Sequence, residues 1–224
     1  MFIGHFAVAF GAKKLVPRTS LATLIVSAQL LDLIWPILVL LGIETVRIDP
    51  AAPNPFLNLR FVHYPWTHSL LMAIVWGIAF ALAYRARTGY SRGAALVGAL
   101  VVSHWVLDWI THRPDLQLAP GLAPRVGFGL WTSAAATIAV EGLLFVAGLA
   151  VYARATRPRD RAGTWGFWGF VPFLLVAYAS TLAGGTPPSP RVVAASALIG
   201  WALIPWIAWF DRHREPTQPQ PWRP

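Results

Sequence analysis

Six stretches of this chain are apolar for long enough to cross a lipid bilayer, and that restricts what the chain can fold into. They lie near residues 20–43, 68–85, 93–111, 131–153, 165–183 and 191–210. A hydrocarbon core about 30 Å thick takes about 20 residues of helix. The expected fold is therefore all-α: a polytopic membrane bundle of about six transmembrane helices. A seventh apolar stretch, residues 2–12, is too short to span and predicts a short half-buried or re-entrant helix at the N-terminus. Residues 1–210 read as a single integral membrane domain. The segment 211–224 is polar and Pro-rich and reads as a disordered cytoplasmic tail.

Composition agrees. Of 224 residues, 56% are hydrophobic and only 12% are charged, against about 25% charged in soluble domains. The net charge of +9 does not indicate nucleic-acid binding, because the basic residues are spread over short segments between the apolar runs. There is no Cys, which removes disulfides, thiolate metal sites and Cys nucleophiles. The opening segment, MFIGHFAVAFGAKK, has no basic start and no cleavage pattern, and is not expected to be a signal peptide.

Lys and Arg are unevenly distributed between the two ends of such a bundle. Thirteen fall in 13–19, 85–92, 154–164 and the tail, while only Arg47, Arg60, Arg113, Arg125 and Arg191 fall in the alternate loops. Positive charge marks the cytoplasmic side. The expected location is a bacterial inner membrane, with both ends of the bundle in the cytoplasm. At 1.5 Å per residue, Asp32 then lies roughly 18 Å into the first span, His104 roughly 17 Å into the third and Asp108 roughly 23 Å. Glu141 lies roughly 15 Å below the opposite surface. These compatible depths predict one shared site between the midplane and the outer face.

A charged group in hydrocarbon costs roughly 2.5–3.5 kcal/mol on insertion scales, so such residues persist when paired, hydrated or coordinated. His104 and Asp108 are four apart on one helix face, with His112 four further on. Ser133, Thr137 and Glu141 repeat that spacing on the fourth span. Pro36 follows Asp32 by four residues, where its ring disrupts the hydrogen bond to the carbonyl of residue 32. Imidazole plus carboxylate without thiolate is the ligand set of a borderline divalent metal such as zinc or manganese. Asp32, His68, His104 and Asp108 would supply four ligands from three helices. Glu141, His63 and His112 are candidates for moving protons. Simpler readings stay open: a hydrogen-bonded polar pair for His104 and Asp108, a neutral acid bonded to Thr137 for Glu141, and solvated interface histidines for His63 and His112. His213 reads as inert.

The segment His63-Tyr64-Pro65-Trp66-Thr67-His68-Ser69, the pair His104 and Asp108, and Asp32 together resemble a family of bacterial inner-membrane proteins described as metal-dependent hydrolases, some of them LexA-regulated. The motif order is also similar to a reduced zinc-dependent phospholipase C or P1-type nuclease. The resemblance covers roughly residues 1–112. It implies an N-terminal ligand, His5, beside the four above. Two departures stand out: Leu33 and Ile34 follow Asp32 where the family has Asp-x-Asp, and Tyr64 stands where it has Arg. The later His-x-x-x-Glu of the phospholipases has no counterpart, so one or two ions are expected, zinc foremost, rather than three. The lipid-phosphatase signature is rejected, because eleven residues separate Arg92 from His104 where it has five.

The expected function is a membrane-embedded hydrolase of an ester or phosphoester in an amphiphilic, lipid-like substrate. The alternatives are a metal transporter or sensor, with Ser27, Gln29 and Ser103 as a thin polar path, and a structural protein with a polar core. A haem held by His104 with His5 or His68 would declare itself in an absorption spectrum.

Overall fold

The computed structural model describes residues 1–217. Six helical segments are long and apolar enough to cross a membrane, and a short helix precedes them. The chain is mostly α-helical and is a multi-pass membrane protein by length and composition of these helices. The helices are α1 (Ile3–Ala12), α2 (Leu21–Leu40), α3 (Pro65–His68), α4 (Leu70–Thr88), α5 (Ser91–Thr111), α6 (Ala134–Ala155), α7 (Arg161–Ala183), α8 (Pro190–Ala197) and α9 (Ile199–Arg212). Three two-stranded antiparallel ribbons decorate the ends: β1 (Thr45–Ile48) with β2 (Leu59–His63), β3 (Leu116–Gln117) with β4 (Arg125–Val126), and β5 (Thr156–Pro158) with β6 (Arg214–Pro216).

Local chemistry starts the spans. Ser20, Ser69, Ser133 and Ser189 each accept a backbone N–H in the first turn of α2, α4, α6 and α8, and Asp160 does so for α7. Such caps satisfy donors that a helix start leaves orphaned. Gly89 ends α4 at φ 66°, in the left-handed region that glycine adopts without strain. α2 runs through Pro36 as one helix. The last span is broken instead: α8 and α9 meet at Leu198.

The six spans alternate in direction. At one end the loops are tied together: Asn54 Nδ2 donates to the Trp131 carbonyl at 3.0 Å, Asn58 Nδ2 to Gly185 at 3.2 Å and Arg113 to Leu57 at 3.1 Å. The β1–β2 ribbon lies here, with Val46 opposite Phe61, Arg47 opposite Arg60 and Ile48 opposite Leu59. At the other end Asp211 accepts from Lys13 Nζ at 3.1 Å, from the Leu21 N–H at 2.8 Å and from Tyr152 at 3.0 Å.

One expectation differs from the structure. The segment 211–224 was expected to be disordered, yet α9 extends to Arg212 and β6 pairs with β5. The reason is side-chain satisfaction. Besides Asp211, Arg214 is buried, donates to Thr156 and Gly163, and lies 4.8 Å over the Phe167 ring. Residues 218–224 lie outside the described residues. The short N-terminal helix, expected as half-buried or re-entrant, is present, and eight of its ten residues are buried in the protein. It packs against α2, α5 and α6. A Cβ on Gly148 of α6 would stand 2.3 Å from the Ala7 carbonyl oxygen, so only glycine lets α1 approach this closely.

Candidate metal centre

α1, α2, α3 and α5 bring His5, Asp32, His68, His104 and Asp108 to one point. His104 Nε2 lies 3.1 Å from Asp108 Oδ2 and 3.7 Å from Asp32 Oδ1. His68 Nε2 lies 3.4 Å from Asp32 Oδ1 and 3.6 Å from Asp108 Oδ2. His5 Nε2 is 3.2 Å from Asp108 Oδ1, and its ring stacks on His104 with centroids 3.7 Å apart. His5, His68, His104 and Asp108 are buried. The Asp32 side chain keeps 42% of its surface, because it faces a cavity.

The tautomers follow from the partners. His104 Nδ1 lies 2.7 Å from the Ala28 carbonyl, which can only accept, so Nδ1 carries a proton and, in the neutral ring, Nε2 is a bare lone pair. For His68 the same logic runs through two residues. Thr67 donates its hydroxyl proton to Glu44 Oε2 at 2.7 Å, so its oxygen accepts from His68 Nδ1 at 2.7 Å. His68 Nε2 is then also a lone pair. Glu44 is fixed in turn by the backbone N–H groups of Trp66 and Thr67, each 2.9 Å away. With neutral rings, two imidazole lone pairs face two carboxylates in a buried space, an arrangement relieved by ring protons or by a cation held between them. His104 Nε2 also has no hydrogen-bond partner among the described residues.

The donor set fits a small divalent cation. Two overlapping groups can hold one: His5, Asp32 and His104, and His68, His104 and Asp108, with ligand atoms of each group within 4.8 Å of one another. Ligands about 2.0–2.2 Å from one zinc at tetrahedral corners stand roughly 3.4 Å apart. The observed nitrogen-to-oxygen separations of 3.1–3.7 Å between His68, His104, Asp32 and Asp108 bracket that value. Orientation of each histidine by a carbonyl or a hydroxyl–carboxylate pair is the usual companion of metal ligation.

Of the three proton-carrier candidates, two are close to this cluster. Glu141 is buried on α6. Its Oε2 accepts from the Phe2 and Gly4 N–H groups at 2.8 and 3.2 Å, and Oε1 has no partner among the described residues. Thr137 does not serve it, since its hydroxyl donates to the Leu130 and Ser133 carbonyls. Asp108 also takes the Met1 amino group as a partner. His112 is buried, holds Asp115 Oδ1 at 3.0 Å through Nδ1, and packs 4.1 Å from the Trp131 ring. His63 is a correction: it is exposed at the end of β2 opposite Thr45, where a register irregularity breaks the alternation that keeps Phe61 on the cavity, while Tyr64 and His68 are buried. His213, expected to be inert, lies 2.6 Å from Asp160 Oδ2 at the far end.

Sequence reasoning missed Glu44, Thr67 and Asp115. Thr67 adjoins His68 and Glu44 closes an apolar run in a chain with only nine acidic residues, and those were the available signals. Asp115 joins His112 to the Tyr64 hydroxyl, which donates to it at 2.7 Å. Burial and this carboxylate push the Tyr64 phenol well above its ordinary range.

A cavity of about 530 Å³ opens from the cluster. Asp32, His68, Asp108, His112 and Glu141 line its polar end. Its remaining walls are mainly apolar, among them Phe6, Leu33, Phe173, Leu203 and Ile207. Compared with family models, with curated proteins and with solved structures, the chain matches none.

Proposed function

We propose that the chain is a membrane-embedded metal-dependent hydrolase acting on an ester or phosphoester of a lipid-like substrate. The observation that carries this reading is the convergence of two imidazole Nε2 atoms and two carboxylates at the polar end of an apolar cavity. Asp32, His68, His104 and Asp108 would hold a divalent ion, zinc foremost, with His5 beside them. Such an ion supplies a bound water of pKa about 7 and polarises the oxygen of an ester or phosphoryl group. Glu141 offers its unpartnered Oε1 to accept a proton and return it to the leaving group. His112, oriented by Asp115, lines the same cavity and is a second carrier. The polar path that transport would need is not favoured, since Ser27 and Ser103 donate back to the Thr23 and Leu100 carbonyls of their own helices. The basic loops gathered at the Lys13 and Asp211 end support a cytoplasmic placement of that end in a bacterial inner membrane.

The test has two arms. Purified protein should carry near-stoichiometric metal, and His104→Ala or Asp108→Ala should each lose most of it, since removing one ligand leaves a buried partner uncompensated. Retention of metal in both variants would sink the proposed ligand set. On a panel of lipid esters and phosphoesters, Glu141→Gln should keep its metal while turnover falls by roughly 10²–10⁴-fold. Loss of metal in Glu141→Gln would make Glu141 a ligand instead.

A further inference from the structure

Pro55, Phe56, Leu59 and Phe61 line the cavity from the β1–β2 loop end and form its roof. The roof is pinned on two sides, by Asn54 to the Trp131 carbonyl and by Asn58 to the Gly185 carbonyl. Phe56 packs against Tyr178 of α7 with rings 6.2 Å apart, and Phe61 against Tyr64, His112 and Trp131.

The side of the bundle is different. α8 packs on α2 and β1, while α7 packs on α9, so the C-terminal half of α7 and α8 diverge. The cavity reaches the surface there. Ser180 and Thr181 of α7, Ser196 of α8 and Ile199 of α9 all line it, and all four are exposed. The break between α8 and α9 at Leu198 lies at this gap. Ala177 and Ser196 are six residues in from the outer ends of α7 and α8, or about 9 Å of helix. That depth belongs to the hydrocarbon, and the neighbouring outward residues Val176, Val192 and Trp201 are apolar and exposed.

Resting on the hydrolase reading, we infer that the substrate is a membrane-resident lipid that enters sideways between α7 and α8. Its hydrocarbon chain lies against α2, α7 and α9, and its ester or phosphoester sits at the Asp32–His68–His104–Asp108 cluster. Two features select this occupant. Between the cluster and the rim, where Ser180, Thr181 and Ser196 stand, the walls are mainly apolar, which matches a molecule with its reactive group at one end of a chain. The mouth adjoins lipid. Gly200 stands at the narrow point, where an added Cβ would lie 3.1 Å from Leu33, the residue after Asp32.

The test reads occupancy rather than turnover. The metal-loaded protein is reconstituted in phosphatidylglycerol–phosphatidylcholine vesicles containing a phospholipid with a photoactivatable group midway along one acyl chain. After irradiation, adducts are mapped by mass spectrometry. Adducts are expected inside the cavity, on Leu33, Leu203 or Ile207, as well as on the lipid-facing Leu143 and Val146 of α6. Gly200→Trp and, separately, Ala177→Trp should lower the cavity adducts about tenfold, the worth of a few buried methylenes. Both should leave the α6 adducts and the metal content unchanged, which guards against misfolding. Adducts confined to α6, or cavity adducts that ignore both tryptophans, would overturn the lateral site. Cavity labelling with no hydrolysis of any ester keeps the lipid site and removes the hydrolase. Hydrolysis of a short-chain soluble ester without cavity labelling does the reverse.

Discussion

At the scale of single residues, the cluster depends on which nitrogen of each histidine is free. His68 is instructive because its orientation passes through Thr67 to Glu44, two residues with no direct reach to the cluster. Thr67→Val keeps the shape and removes the hydroxyl, so His68 Nδ1 loses its acceptor and Glu44 loses a donor. Metal affinity is expected to fall about 10–100-fold, the usual effect of losing a group that orients a ligand. Competition titration with a chromogenic chelator measures it, and unchanged affinity would show that the relay does not set the His68 tautomer. Asp32, His104 and Asp108 were legible in the sequence as candidates, because a His or Asp inside an apolar helix needs a reason to be there. Glu44 and Thr67 were not, because their meaning lies in a contact between the end of one span and the start of another 22 residues later. His63 misled for the opposite reason: it shares a motif with His68, but an intervening change from strand to helix separates them.

At the scale of elements, the positions of the long helices followed from hydropathy. The bounds differ by up to four residues where Ser or Asp caps and the Gly89 stop act, since these are decided by hydrogen bonds rather than apolarity. The placement of α1 did not follow. A ten-residue apolar helix fits a surface or an interior, and what selects the interior is the bare backbone of Gly148 on α6. This makes Gly148 a lever on a centre it does not touch. Gly148→Val drives a side chain into the Ala7 carbonyl, a backbone atom that cannot swing aside. Overpacking of this kind costs about 1–3 kcal/mol. A lowered thermal midpoint in detergent is expected, together with weakened metal binding, because α1 carries His5 and its first turn is capped by Glu141. Normal stability and metal content would show that α1 shifts without consequence.

For the whole molecule, the loops fall into two sets joined by hydrogen bonds, and the basic residues concentrate in one. Reporter fusions after Arg87 and after Arg159 should therefore report cytoplasm, and fusions within 50–60 or 115–122 the opposite side. Cytoplasmic signals from 50–60 would invert the bundle and place the roofed end of the cavity inside the cell. This six-span architecture was readable from the sequence, whereas the ordering of 211–217 was not. Composition describes a Pro-rich tail, but it does not reveal that Arg214 finds Phe167 and Tyr152 to stack on.

The enclosure of α1 also sets an order of assembly. A ribosome makes α1 first, yet the groove that receives it is built from α2, α5 and α6, and α6 ends only at Ala155. Ten residues cannot be threaded across a bilayer as a span of their own. α1 must wait until α6, more than a hundred residues later, has been inserted before it can dock. His5 arrives with it, so the polar centre is completed late in biogenesis. A nascent chain stopped before α6 would hold Asp32, His68, His104 and Asp108 without the helix that closes over them.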